Sequence, residues 1–88
     1  MVEFQLDKQM TILEEVRTII AQILEMETEE LPIDAEMDEI GEWDSIHNVM
    51  ILAKLEEHYD ILFPEDDVFD LVSVKALADE IEKLKNRG

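Results

Sequence analysis

The sequence predicts an all-α fold: a four-helix bundle of three longer helices and one short one. Three observations carry that expectation. Apolar residues recur at helical spacing along nearly the whole chain, and no segment alternates as a strand does. Glycine and proline number only two each, too few for the turns of a β architecture or for a linker. Each of the three longer helical stretches also opens on a residue suited to cap it.

The first segment reads TILEEVRTIIAQILEM. Thr11 and Glu14 stand at capping-box spacing, so the helix is expected to begin at Thr11. Ile12, Val16, Ile19, Ile20 and Ile23 then form one apolar stripe. Residues 1–10 either extend this helix or stay loose. From Pro32 to Asp44 the pattern lapses into an acidic connection, long for so small a fold. Leu31, Ile33, Met37 and Ile40 are its expected anchors to the core.

The second helix, SIHNVMILAKLEEHY, spans about four turns. Asn48, Leu52, Leu55 and Tyr59 share its core face, flanked by Ile51. Ile46, Met50 and Ala53 fall on a second face, roughly opposite. A short helix is expected after Pro64, with Glu65, Asp66 and Asp67 at its positive end. Ser73 caps the last helix, SVKALADEIEKLK, whose buried stripe is Val74, Leu77, Ile81 and Leu84. Eighty-eight residues with 47% apolar content suffice for one core, so a single domain is expected over 1–88, its core at about 11–84.

Composition excludes several functions. A net charge of −17 repels a nucleic-acid backbone. No apolar run is long enough to span a bilayer, and the first ten residues lack the basic and apolar blocks of a secretion signal. The expectation is a cytoplasmic monomer. With no cysteine the chain has neither disulfide nor thiolate metal site. Ten acids and no Lys or Arg lie between Glu25 and Asp44, which reads as a solvated face or as a landing surface for basic partners.

Ser45, His47 and Asp44 have the residue types of a hydrolase triad, but on a helix residues 45 and 47 diverge by about 200°. His47 and His58 sit about 16 Å apart along the axis, too far to share a metal ion. No EF-hand or phosphate-cradling glycine loop is present. The chain therefore reads as a non-catalytic protein without a metal site. In GEWDSIHN two capping residues, Asp44 and Ser45, stand side by side where a helix start uses one. By helix rules alone Ser45 is an idle capping serine, or, if Asp44 caps, a free hydroxyl where a phosphate would be favoured by the helix dipole.

The stretch DEIGEWDSIHNVMILAKLEEHYDILF, residues 38–63, resembles the heart of an acyl carrier protein of the free-standing bacterial kind. The similarity extends over about 11–84 and includes LEEHYDI and LVSVKALADEI. It implies an acyl-carrier-like bundle with 4′-phosphopantetheine on Ser45, placed there from coenzyme A by a phosphopantetheinyl transferase, and Asp44 as the helix cap beside it. Acyl intermediates would ride on that arm as thioesters and be presented to acyl-activating, acyltransferase or ketosynthase enzymes. Glu42, Ile46, His47, Met50 and Ala53 form the expected partner-binding face. Ile46 stands where Leu is usual, His47 and Met50 where the fatty-acid carriers usually have acids, Tyr59 for Phe and Asp60 for Gly. These departures point to a specialised carrier in lipid, polyketide or related biosynthesis. The alternatives are an aminoacyl or peptidyl carrier and an acidic helical interaction module with no prosthetic group.

Overall fold

The computed structural model describes residues 11–87. The question whether residues 1–10 extend the first helix lies outside that range. Three α-helices dominate: α1 (Ile12–Leu24), α2 (Ser45–Tyr59) and α3 (Val74–Arg87). A 3₁₀ helix, Glu65–Asp70, precedes α3, and two 3₁₀ turns, Thr28–Glu30 and Met37–Glu39, punctuate the long α1–α2 connection. The expected architecture is thus present, with the short helix in 3₁₀ form.

Local signals set the helix ends. The Thr11 hydroxyl accepts from the Glu14 N–H at 3.1 Å, while the Glu14 carboxylate accepts from the Thr11 N–H at 3.1 Å, a complete capping box. The Ser73 hydroxyl accepts from the Ala76 N–H at 3.0 Å. Pro64 sits just before its 3₁₀ helix rather than in its first turn. Both α1 and α2 end on a residue in the left-handed conformation, Glu25 (φ 60) and Asp60 (φ 57). In each case the next N–H folds back over the last turn, Met26 to Ala21 at 3.0 Å and Ile61 to Glu56 at 3.1 Å. These reverse bonds satisfy carbonyls the helix leaves open, and at α2 a short polar Asp tolerates the conformation usually given to Gly.

The three helices converge on Val16, Ile20, Ile51, Leu55, Leu77 and Ile81, all fully buried. Every residue of the expected α1 stripe is buried or packed against that cluster. On the connection, Leu31 is buried and Met37 and Ile40 pack partly, but Ile33 is exposed and Ala35 takes the buried place. The Ala35 N–H bonds to the Pro32 carbonyl at 3.0 Å, and this turn carries Ile33 outward. The same connection is pinned to the entry of α3 by an isolated bridge between Glu36 and Ser73, with Met37 N–H to Val72 O at 2.8 Å and Val74 N–H to Ala35 O at 3.1 Å. Two further bonds tie distant segments: Arg17 Nε donates to the Leu31 carbonyl at 2.6 Å, and the Tyr59 hydroxyl donates to Glu15 Oε1 at 2.5 Å.

Candidate functional site

The N-terminus of α2 answers which of the two adjacent polar residues caps the helix. Asp44 has extended backbone (φ −109, ψ −174), and its Oδ1 accepts from the His47 N–H at 2.9 Å. Asp44 is therefore the cap and Ser45 the first helical residue. The Ser45 side chain is exposed and takes part in no side-chain hydrogen bond among the described residues. The N–H groups of Ser45 and Ile46 have no acceptor within the helix, because the first turn has no preceding carbonyls to reach. A free primary alcohol thus stands at the positive end of a four-turn helix.

His47 adds a second contact: its Nδ1 lies 2.7 Å from the same Asp44 oxygen. An ionised carboxylate only accepts, so Nδ1 carries the proton in this contact. The Asp44 carboxyl is held below its ordinary value of 3.8, first by the His47 backbone N–H and then by the His47 ring. A lowered carboxylate pKa means that the cap contributes stability above the unfolded value and loses it as pH falls through the folded one. Asp44→Ala is accordingly expected to lower Tm at neutral pH, with the gap from the parent protein closing as pH drops below about 3.8. Thermal melts followed by circular dichroism between pH 2 and 7 test this, and a gap that persists at pH 2 would contradict it.

The loop before the cap is held by Trp43, only 2% exposed, whose indole N–H donates to Asn48 Oδ1 at 2.9 Å. This makes Trp43 a lid from the loop onto the core and joins the approach to Ser45 to the second turn of α2. Beside Ser45 runs a groove of about 350 Å³, walled by Met37, Asn48, Val49, Leu52, Val68, Phe69 and Val72. Periodicity alone missed it, because Val68 and Phe69 come from the 3₁₀ helix, Met37 from a 3₁₀ turn and Val72 from the loop before α3, segments that only the tertiary structure brings near Ser45. A larger hollow of about 570 Å³ at the far end of α2 is lined by Glu56, Glu57 and Asp60 with Ile61 and Leu62, and it contains none of the residues around Ser45.

Of the expected partner-face residues, Ile46, His47, Met50 and Ala53 lie on α2 and Glu42 in the turn before it. Glu42, Ile46, Met50 and Ala53 are exposed, and His47 is half-buried. Ile46 and Met50 are 71% and 48% exposed, so the second apolar face of α2 has no cover within the described residues. Val49, at 65%, belongs to the same apolar surface and was not singled out by sequence, since it falls between the two faces. Among the described residues no group of three or more His, Asp or Glu is placed to hold a metal ion, and no helix is long and apolar enough to cross a membrane.

Comparison with known proteins identifies the family. A family model described as a phosphopantetheine attachment site matches residues 14–81. An acyl carrier protein from Campylobacter concisus (strain 13826) is 27% identical over 75 residues, a match covering 85% of this chain and 97% of that protein.

Proposed function

Since the chain belongs to the acyl carrier protein family, whose members hold 4′-phosphopantetheine covalently, we propose that Ser45 is the attachment site. The protein is then a specialised carrier of acyl intermediates in lipid, polyketide or related biosynthesis. The observation that carries this is the division of labour at the helix start: Asp44 caps, so the Ser45 hydroxyl is exposed and uncommitted. The arm supplies a thiol that bears the acyl group as a thioester, which the chain, lacking cysteine, cannot provide itself.

The surrounding residues fit such a group. A phosphodiester on Ser45 meets the open N–H groups of the first turn and the positive end of the helix dipole. Asp44 keeps the hydroxyl out of intrahelical bonding, and Trp43 fixes the loop that presents it. The groove beside Ser45 offers shelter for a short acyl group. Partners meet Glu42, Ile46, His47, Met50 and Ala53, a small apolar contact within a strongly acidic surface. Steering charge combined with a small contact favours fast, brief encounters of the kind a shuttle requires. A phosphopantetheinyl transferase, then acyl-activating, acyltransferase or ketosynthase enzymes, are the partners this reading names.

Incubation with coenzyme A and a broad-specificity phosphopantetheinyl transferase should add one phosphopantetheine to the intact mass, and Ser45→Ala should add none while remaining folded. Absence of the addition in the parent protein, under conditions that modify a control carrier, defeats the assignment.

A further inference from the structure

The groove is lined by apolar side chains apart from Ser45 at its edge and Asn48. Asn48 lines it and is 8% exposed. Its Oδ1 is committed to Trp43: the indole N–H can only donate, so the amide atom facing it at 2.9 Å must be the carbonyl oxygen. The NH₂ group is turned the other way. No protein acceptor meets Nδ2 among the described residues, yet no sealed side-chain nitrogen or oxygen there lacks a partner. Nδ2 therefore keeps an opening to solvent, and Asn48 borders the groove. Trp43 also fixes the rotation of the amide, so the donor's direction is set before anything binds.

We propose that the Asn48 NH₂ opens into this groove and determines cargo specificity: the groove prefers a short acyl group with a hydrogen-bond-accepting oxygen near the thioester over a saturated chain of equal length. This rests on Ser45 as the attachment site and adds a substrate class to it. A saturated chain entering the groove strips water from Nδ2 and leaves the donor unpaired, whereas a keto oxygen replaces the lost bond. Met37, Val49, Leu52, Val68 and Phe69 contact either chain alike, so the difference falls on Asn48. Sites with a buried donor reject the analogue that lacks its acceptor more strongly than apolar walls distinguish chains by size.

The test attaches amide-linked hexanoyl and 3-oxohexanoyl phosphopantetheine analogues to isotope-labelled protein, each confirmed by intact mass. The ratio of sheltered to exposed cargo is then read by NMR from the Leu52 and Val68 methyl shifts, together with the Asn48 side-chain N–H signals. The 3-oxo cargo should show a ratio about tenfold higher and should move the Asn48 signals. Asn48→Asp keeps an acceptor for Trp43 but removes the donor, and it should bring the two cargoes to within about twofold of each other. Equal ratios in the parent protein, or unmoved Asn48 signals, overturn the proposal whether or not the variant folds. Failure of the mass addition itself overturns the premise, and the proposal with it, and is told apart at the first step.

Discussion

Trp43→Ala is expected to destabilise the fold by about 3–5 kcal/mol, the range for truncating a large buried aromatic. Trp43 is 2% exposed, and its loss both opens a cavity and removes the donor to Asn48 Oδ1. Asn48 is itself buried, so its carbonyl oxygen loses its partner where water has little access. Trp43→Phe separates the two effects: it refills most of the space but supplies no N–H, leaving a cost of about 1–3 kcal/mol for the orphaned acceptor. The consequence reaches function, because residues 43 and 44 lead directly into the helix start. A loosened loop should slow phosphopantetheine addition in Trp43→Phe more than its modest loss of stability accounts for. Urea unfolding followed by circular dichroism, with the initial rate of mass addition measured in parallel, reads both. A Phe variant as stable and as readily modified as the parent would show that the indole N–H is idle.

Leu55→Ala should cost about 2–5 kcal/mol. Leu55 is fully buried in the centre of α2, among the residues where the three helices meet. For a chain this short the total stability is on the order of 5–10 kcal/mol, so this single truncation approaches the whole of it. Leu62→Ala provides the contrast. Leu62 is 80% exposed, and its removal should stay within about 0.5 kcal/mol. Trp43, the sole tryptophan, is buried and reports unfolding of both leucine variants by fluorescence. A shift in urea midpoint without a change in slope is expected for Leu55→Ala, and midpoints alike for the two leucine variants would be incompatible with the core described.

Much of this protein is written in short-range pattern. The caps at Thr11, Asp44 and Ser73 each act on an N–H three residues away, so a reader of the sequence sees both partners at once. The apolar stripe of α1 and the two faces of α2 follow from the period of the helix, which fixes direction before any neighbour is known. Asp44 beside Ser45 is legible for the same reason: one turn needs one cap, and the spare hydroxyl follows.

Contacts between distant segments were decided only by the tertiary structure. Tyr59 meets Glu15 across 44 residues, and Arg17 meets the Leu31 carbonyl across 14, separations over which local pattern holds no information. Ile33, an expected anchor, is turned outward and Ala35 is buried instead because a turn at Pro32 orients them, and a turn has no period to extrapolate. The groove beside Ser45 depends on where Val68, Phe69 and Val72 come to rest after the chain has reversed direction. The sequence by itself thus determined the helices, the caps and the free hydroxyl, because a helix turn couples near neighbours. The shape of the space beside that hydroxyl, and the place of Asn48 in its wall, came from packing, because they require three separate segments to be placed against one another.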